Sequence, residues 1–427
     1  MRDYRVACAT YNGKLVSGQV QNILGDSSEH LSAWLAPSLS AHQQQSDDDS
    51  HDEGPHAAPD LVAVGFQEMI PLHLALAGLT RKALDLHDDK LRSAIESLYS
   101  SSDAQGDSGK TRYSLVARRA IGGIALLLYA RDETIAARIK DVQVNTVGCG
   151  VFGLLGNKGA VGIRITLQEE ESASSWTFVS AHLAAHQDQN DARSQDWQKI
   201  VRRLVFEPRG DSANAAQIYD SGHLFFFGDL NYRISLTSPQ RLDRTNLLHD
   251  LSELASATDD TPIPPKLLAQ DQLRQEQARN KTLHHLREGE ITFPPTYKYQ
   301  PGSRDEFSKK RVPGWCDRVL YASGAEGGVK VLSYRSVMDF TRSDHKPVAA
   351  QFLVPGSSIS KRVTDPSPYA IDPQWRLKQL AGLVLDRLVG SIWCLVMFAG
   401  FNRDLRLGFF NIAILIATIL YGRNRFL

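Results

Sequence analysis

Leu-Phe-Phe-Phe-Gly-Asp-Leu-Asn-Tyr-Arg, at residues 224–233, is the most informative stretch of this 427-residue chain. Its apolar first half predicts a buried strand, which ends abruptly in Gly-Asp-Leu-Asn. Asp229 and Asn231 lie two residues apart, and this spacing directs both side chains to the same side of the strand end. A carboxylate and an amide placed in this way can hold a water and a phosphate oxygen beside a metal ion. Asp and Asn are also common turn formers, so the interpretation depends on partners elsewhere in the chain.

The composition describes a large chain that is neutral overall, with 48 Lys/Arg and 48 Asp/Glu. Residues 356–427 hold nine Lys/Arg against four Asp/Glu, so the rest of the chain is slightly acidic. An acidic main domain argues against nucleic acid as a partner, whereas a basic tail suits an anionic membrane surface. The four cysteines form no C-x-x-C pair, which predicts neither a zinc site nor a disulfide framework.

Strand-type runs and helical periodicities interleave along the chain without strict alternation. Strands are predicted at about 4–9, 61–66, 121–129, 159–167, 176–181, 223–228, 317–322, 329–335 and 347–353, and helices at about 70–100, 189–206, 238–256 and 266–287. This order favours a layered α/β sandwich with mixed sheets over a barrel or a doubly wound sheet. The first strand follows the N-terminus without a signal peptide, which predicts a cytosolic main domain.

Changes in composition divide the chain into a main domain, a linker and an apolar tail. The predicted boundaries are 1–355 for the domain, with a disordered polar insertion at 40–59, 356–379 for the linker and 380–427 for a membrane-anchor tail. The uncharged runs 388–401 and 407–421 are each shorter than the roughly 20 residues of a full span. Two short spans, one span with an interfacial helix, and a buried helical hairpin are all compatible with this pattern. Membrane insertion is favoured because neither run has a polar stripe.

Five other motifs place polar side chains at predicted strand ends: Thr-Tyr-Asn at 10–12, Gly-Phe-Gln-Glu at 65–68, Ser-Ala-His at 180–182, Trp-Cys-Asp at 315–317 and Ser-Asp-His at 343–345. Glu68 and Asn12 offer the oxygen donors that a hard divalent cation prefers. A carboxylate such as Asp317, if it faces His345, would fix the imidazole tautomer and stabilise its charged form. A capping, turn or structural role would explain each motif equally well if it stood alone.

Two kinds of segment suit a polyanionic ligand. The glycine-rich stretch 156–162 offers backbone amides together with Lys158, although a tight hairpin turn explains it equally well. The stretches 293–299 and 309–315 are basic, aromatic and stiffened by proline, whereas a solvated run of charge is the simpler interpretation.

Taken in order, eight blocks resemble the inositol polyphosphate 5-phosphatase family of the DNase-I-like (endonuclease/exonuclease/phosphatase) superfamily. They lie at 10–12, 65–68, 156–161, 180–186, 227–233, 293–299, 310–320 and 343–348, and they cover most of residues 4–353. The resemblance implies a four-layer α/β sandwich with two facing mixed sheets, and an active enzyme that removes the 5-phosphate of phosphatidylinositol 4,5-bisphosphate. A catalytic domain followed by an apolar tail is similar to the tail-anchored fungal members, which implies the cytosolic face of the endoplasmic reticulum.

The resemblance also implies roles for individual residues. The metal and catalytic positions are Glu68, Asn12, Asp229, Asn231, His182, Asp317 and His345. Glu68 is expected to bind Mg²⁺ with Asn12 nearby, and Asp229 to orient or activate the attacking water. Asn231 is expected to contact the scissile phosphate, while His345, held by Asp317, stabilises charge on the phosphoryl oxygens with help from His182. Substrate contacts are implied at Asn157, Lys158, His186, Tyr297, Lys298, Lys310, Arg311 and Asp344. Of these, Lys298, Lys310 and Arg311 match positions that the family uses for the 4-phosphate.

Two other functions are compatible with much of this pattern. A neutral sphingomyelinase of the same superfamily would share the acidic and histidine positions, but not the blocks at 293–299 and 310–318. A non-catalytic membrane tether that only binds phosphoinositides would have no need of those positions. A nuclease fits the acidic main domain poorly. The sequence does not predict an oligomeric state.

Overall fold

The described part of the chain forms an α/β fold with twelve strands and eight α-helices. The computed structural model describes residues 2–13, 28–39, 58–99, 111–169, 172–207, 215–236, 244–256, 262–356, 362–364, 366–400, 406 and 409–414. The strands are β1 (Tyr4–Asn12), β2 (Leu61–Gln67), β3 (Tyr113–Ile121), β4 (Ile124–Arg131), β5 (Ile139–Gly148), β6 (Gly159–Gln168), β7 (Ala173–His182), β8 (His223–Asp229), β9 (Arg287–Glu288), β10 (Asp317–Ser323), β11 (Lys330–Ser336) and β12 (Val348–Val354). The helices are α1 (Ser28–Leu39), α2 (Leu72–Leu76), α3 (Thr80–Tyr99), α4 (Asn190–Arg203), α5 (Arg244–Ser256), α6 (Pro265–Leu268), α7 (Gln272–Ala278) and α8 (Trp375–Phe398).

The strands form two six-stranded mixed sheets. The first sheet has the order β11-β12-β1-β2-β4-β3, and the second has the order β5-β6-β7-β8-β10-β9. The pairs β1–β2 and β7–β8 are parallel, and the other neighbours are antiparallel. The prediction of an α/β fold with two facing mixed sheets is therefore confirmed.

Three apolar cores hold four layers together. The largest core lies between the sheets and includes Val6, Ile163, Phe178 and Phe225. A second core packs α1 and α3 on the outer face of the first sheet, and a third packs α4 on the outer face of the second sheet. Central strands are therefore buried on both faces, which explains why β2 and β8 have a continuous apolar sequence rather than an alternating one.

Some predicted elements differ from the structure for identifiable reasons. The predicted strand at 121–129 is part of a hairpin, β3–β4, whose turn contains Gly122 with φ of 51°. Strands β3 and β5 were not predicted, because both are half-exposed and rich in polar residues. The predicted helix at 70–100 is two helices, α2 and α3, separated by Gly78 with φ of 90°. The predicted helix at 266–287 is two short helices, α6 and α7, and the prediction is wrong beyond residue 278, where the chain is not helical.

The predicted insertion at 40–59 lies outside the described residues except at 58 and 59, and the predicted helix at 238–256 is described from Arg244 onwards. The described linker residues run along the second sheet. The amide of Val363 donates to the carbonyl of Ser221 (2.8 Å), and the amide of Asp372 donates to the carbonyl of Arg202 (2.9 Å). These bonds lead the chain into α8.

Helix α8 packs against the main domain through one face, the docked face, formed by Gly382, Asp386 and Gly390. Oδ1 of Asp386 accepts a hydrogen bond from the amide of Gly156 (2.9 Å). A Cβ atom on Gly382 would lie 2.6 Å from a backbone oxygen of the domain, and one on Gly390 would lie 2.1 Å from the amide of Ala77. Only glycine permits this close approach of the helix.

The opposite side of α8, the apolar face, consists of Leu380, Leu388, Ile392, Leu395 and Phe398. These side chains are between 55% and 88% exposed. Among the described residues, α8 is the one helix that is long and apolar enough to cross a membrane. The helix thus combines a docked face with an uncovered apolar face.

Substituting Gly390 by Leu is expected to detach α8 from the domain. The added side chain would overlap the backbone of Ala77, and overpacking of this kind costs about 1–3 kcal/mol. Limited trypsin digestion of the detergent-solubilised chain should then cleave at Arg387 much faster than in the wild type. Ile392→Leu, two residues away on the exposed apolar face, should leave the digestion rate unchanged. Equal digestion of the two variants would contradict the observed packing.

Candidate active site

Strand ends from both sheets bring the polar motifs together at one edge of the sandwich. Asn12 ends β1, and Glu68 follows β2 by one residue. His182 ends β7 and is the register partner of Asp229 at the end of β8. Asp229 in turn pairs with Asp317, the first residue of β10. Because register partners project to the same face of a sheet, His182, Asp229 and Asp317 form a row directed at the first sheet.

Asp229 is the centre of this cluster. Its Oδ2 accepts a hydrogen bond from Nδ2 of Asn12 (2.8 Å) and lies 3.1 Å from Nε2 of His182. Its Oδ1 accepts a hydrogen bond from the amide of Asn231 (3.0 Å). Burial opposes its ionisation, but the imidazoles of His182 and His345 lower the pKa of Asp229 well below its ordinary value. This buried carboxylate is therefore ionised.

His345 is held as an imidazolium between two carboxylates. Its Nδ1 lies 2.8 Å from Oδ2 of Asp317, which also accepts a hydrogen bond from Oγ1 of Thr296 (2.7 Å). Its Nε2 lies 4.0 Å from Oδ2 of Asp229. Burial alone would lower its pKa, but Asp317 and Asp229 outweigh burial and raise the pKa of His345 to about 9. The side chain is therefore a fixed positive donor at neutral pH.

His182 has the opposite electrostatic character. Burial and the cation of Lys158 lower the pKa of His182, although the Asp229 carboxylate opposes this shift. Nε2 of His182 lies within hydrogen-bond distance of Nζ of Lys158 and 4.0 Å from Oε1 of Glu68. The two histidines thus have different charges, with His182 neutral and His345 protonated.

The wall of the site beside Asp229 is lined by an amide, a guanidinium and an aromatic ring. Asn231 adopts a positive φ of 59°, and its Nδ2 donates to the carbonyl of Leu183 (3.1 Å). Nη2 of Arg233 donates to Oδ1 of Asn231 (3.4 Å). The guanidinium of Arg233 lies 4.6 Å from the ring centre of Tyr297, whose ring is 4.5 Å from that of His345. This wall supplies donors for an anionic substrate.

Several cationic side chains lie near the cluster or in the basic stretches of the sequence. Nζ of Lys298 is bonded to Oδ2 of Asp344. Lys310 and Arg311 are exposed. The side chain of His186 is mostly exposed, but the partial loss of its water contacts and the nearby cations of Arg311 and Arg233 lower its pKa. Positive charge from Arg311, Arg233 and Lys158 is thus concentrated near His186, and Lys298, Lys310 and Arg311 form a basic group, the rim, in the stretches 293–299 and 309–315.

One predicted substrate residue has a hydrogen bond within its own loop, and three residues that were not predicted bond to residues of the cluster or of the strands that carry it. Oδ1 of Asn157 accepts a hydrogen bond from the amide of Val151 (3.4 Å), which places it in the structure of its own loop. The residues not predicted are Gln67, Thr296 and Ser343. Gln67 bridges the sheets by accepting from Oγ1 of Thr10 and donating to Oγ of Ser180 (3.1 Å each), and Ser343 Oγ donates to the carbonyl of Asn12 (2.8 Å). All three lie inside the quoted sequence blocks, which was the available signal.

The donor chemistry of the cluster suits a hard metal ion. The carboxylates of Glu68 and Asp229 and the amide of Asn12 provide oxygen ligands of the kind that Mg²⁺ and Ca²⁺ prefer, and the Glu68 side chain is 37% exposed. Asp229, Asp317 and His345 also place one potential ligand atom each within 4.8 Å of one another.

The sequence matches the model of endonuclease/exonuclease/phosphatase family 2 over residues 10–351. This match covers most of the chain, so the chain belongs to that family. Its relatives include inositol 5-phosphatases.

The type II inositol 1,4,5-trisphosphate 5-phosphatase of Mus musculus is 34% identical over 359 residues, which cover 82% of this chain and 30% of that protein. The type IV inositol polyphosphate 5-phosphatase 9 of Arabidopsis thaliana is 32% identical over 70% of both chains. The chain therefore spans less than a third of the mouse relative. Among solved structures, the inositol polyphosphate 5-phosphatase domain of SPsynaptojanin, in complex with inositol (1,4)-bisphosphate and calcium, is 26% identical. The match covers 83% of this chain and 84% of that one, with a TM-score of 0.58.

Proposed function

We propose that the chain is a Mg²⁺-dependent phosphatase that hydrolyses the 5-phosphate of phosphatidylinositol 4,5-bisphosphate. The observation that carries this proposal is the Asp229 cluster, where an ionised carboxylate lies between a neutral and a protonated histidine. The family relatives named as inositol 5-phosphatases support the same chemistry. The basic, aromatic rim supports a substrate with more than one phosphate.

The residues of the cluster have different proposed roles in phosphoryl transfer. The oxygen of a water molecule bonds to phosphorus while the bond from phosphorus to the inositol 5-oxygen breaks. One proton of the water ends on the departing 5-oxygen as the inositol hydroxyl, and the other stays on the released hydrogen phosphate. With its pKa lowered, Asp229 is a weak base, so it acts mainly by orienting the water. The imidazolium of His345 and the amide of Asn231 stabilise charge on the phosphoryl oxygens. A bound Mg²⁺, for which Glu68 and Asn12 are the proposed ligands, supplies Lewis-acid polarisation.

Lys298, Lys310 and Arg311 are the proposed contacts to the 4-phosphate. Lys310→Ala with Arg311→Ala is expected to raise KM for phosphatidylinositol 4,5-bisphosphate by about tenfold or more, because charge-assisted bonds to phosphate are lost. KM for phosphatidylinositol 5-phosphate, which has no 4-phosphate, should change little. Arg287→Ala with Lys330→Ala removes the same charge from exposed positions elsewhere and should affect neither substrate. An equal rise in KM for both lipids would contradict the proposed contacts of Lys310 and Arg311 to the 4-phosphate.

The apolar face of α8 supports membrane association of the tail, which we place on the cytosolic face of the endoplasmic reticulum. The predicted tail, 380–427, begins inside α8, so the proposed anchor starts from a helix that is part of the folded domain. The basic excess of the tail favours an anionic surface.

Phosphate release by the full chain in mixed detergent micelles tests the proposed reaction. We expect release from phosphatidylinositol 4,5-bisphosphate with Mg²⁺, leaving phosphatidylinositol 4-phosphate, and at least a hundredfold loss with excess EDTA, roughly what loss of a catalytic metal costs. Phosphocholine release from sphingomyelin would indicate the sphingomyelinase alternative instead. Lipid binding without any product would indicate a non-catalytic tether.

A further inference from the structure

A cavity of about 660 Å³ lies where α8 meets the domain, beside the candidate active site but separate from it. Its walls come from the α2–α3 connection, α3, the β3–β4 hairpin and α8. None of the residues placed in the catalytic cluster lines it. Its volume lies within the usual range of small-molecule sites.

The lining of this cavity is strongly basic: Arg81, Arg118, Arg119, Arg376 and Arg387. Two of the five arginines are already neutralised. Arg118 forms ion pairs with Asp85 (2.7 Å) and Asp88 (3.2 Å), and Arg376 pairs with Glu207.

Three arginines lack such a partner. Within the described part of the chain, no carboxylate lies within ion-pair distance of Arg81, Arg119 or Arg387. The one acidic lining residue, Asp386, accepts a hydrogen bond from the amide of Gly156 and also interacts electrostatically with Arg387, so one carboxylate faces these three arginines. Gly78 makes room for the guanidinium of Arg387, since a Cβ atom there would lie 1.1 Å from its Nη1. The cavity therefore has an excess of positive charge for an anionic ligand to neutralise.

The same cavity has apolar lining residues that continue onto an exposed apolar surface. Leu84, Leu380 and Leu383 line it together with the arginines. Leu380 also belongs to the apolar face of α8, so the cavity opens at the edge of that face. A ligand that matches both surfaces has an anionic group attached to apolar chains.

We propose that this cavity binds the phosphate-bearing headgroup of an anionic phospholipid in the bilayer against which the apolar face of α8 rests. The proposal depends on the membrane association proposed above. Guanidinium groups suit phosphate because their planar donors form paired hydrogen bonds with its oxygens. The site lacks the carboxylate–histidine cluster of the active site, so the lipid is bound and not hydrolysed.

Binding there would also affect the active-site loop. Gly122, which lines the cavity, packs so closely on Gly156 that a Cβ atom would lie 2.1 Å from its carbonyl oxygen. Gly156 precedes Lys158, whose ammonium contacts His182. The cavity and the active site are therefore connected through the loop that contains Gly156 and Lys158.

Vesicle flotation of the full chain tests the proposal. The vesicles contain either phosphatidylcholine alone or phosphatidylcholine with about 30% phosphatidylserine, an anionic lipid that is not an inositide. Each basic residue near an anionic surface strengthens binding to that surface. Arg81→Gln with Arg119→Gln should therefore weaken binding to the anionic vesicles about tenfold or more. Binding to phosphatidylcholine and turnover of a soluble inositol phosphate should stay at the wild-type level. Arg112→Gln with Arg287→Gln, a matched pair of exposed arginines outside the cavity, should bind like the wild type.

Each other outcome would overturn the lipid site. Equal weakening by both pairs would mean that binding reflects general surface charge. Equal binding of the wild type to both kinds of vesicle would support membrane association but contradict the lipid site. Binding to neither kind would contradict both the membrane association and the lipid site. If Arg81→Gln with Arg119→Gln weakened the binding of inorganic phosphate in solution but left binding to the anionic vesicles unchanged, the cavity would be a site for free phosphate and not for a lipid. Turnover of the soluble substrate reports on the proposed phosphatase activity independently of all four.

Discussion

Asp229→Asn is expected to lower kcat by about 10³-fold on phosphatidylinositol 4,5-bisphosphate while the fold stays intact. Oδ2 of Asp229 contacts both Asn12 and His182 and faces Nε2 of His345. An amide at this position keeps the size of the side chain but removes the charge that orients the water and balances the imidazolium. The loss should appear in kcat more than in KM, because Asp229 does not belong to the basic residues that we propose bind the other phosphate.

Phosphate release under saturating substrate, with thermal unfolding measured in parallel, checks this expectation. Asp191→Asn removes an equally charged but exposed carboxylate at the start of α4 and serves as the control. Activity of Asp229→Asn within tenfold of the control would show that the catalytic centre lies elsewhere. Loss of activity together with a lowered unfolding temperature would instead indicate that the variant is misfolded, and Asp229→Glu would then be the informative comparison.

Asp317→Asn is expected to lower kcat by about 10²-fold and to shift the pH profile. Asp317 is a main cause of the pKa of about 9 at His345, which exceeds the ordinary value of 6.5. A raised histidine pKa keeps the imidazole charged up to that pH, so wild-type activity should fall as pH rises through about 9. Without the carboxylate the pKa of His345 falls, so the alkaline limb should move to lower pH. The same sign applies to stability, because the contribution of His345 is complete below pH 6.5 and is lost as pH rises through about 9.

The profile of kcat/KM between pH 6 and 10, on a soluble inositol phosphate, distinguishes this effect from a loss of structure. Thr296→Val removes the hydroxyl that donates to Asp317 (2.7 Å) but keeps the carboxylate charge, so it should leave the alkaline limb near pH 9. An unchanged alkaline limb in Asp317→Asn would mean that His345 does not govern activity through its charge.

The sequence predicted the strand-end residues of the site well because each follows or begins an apolar run. Asn12, Glu68, His182 and Asp229 all stand where a buried strand ends, and the structure brings them together with Asp317. Elements with weak patterns were less predictable. Strands β3 and β5 are half-exposed, so their polar residues conceal the strand period. Gly78 divides a long helical pattern because its positive φ is a property of the backbone.

The apolar composition of the C-terminal segment also predicted a tail. It did not predict that one face of α8 contacts the main domain. Nothing local in 375–398 indicates that Gly382, Asp386 and Gly390 face the domain, since their partners lie more than 200 residues earlier in the chain. The arginine-lined cavity arises from the same packing, because its side chains come from α3, β3 and α8.

The sequence by itself determined the layered α/β class, the strand ends and the chemical groups placed there, because burial and backbone propensity act over a few neighbouring residues. Only the tertiary structure decided which of these groups meet. The register β7–β8–β10 aligns His182, Asp229 and Asp317, and the packing of the two sheets adds Asn12 and His345. The different charges of the two histidines follow from that arrangement, because a pKa depends on the charges and the burial that surround a group in space.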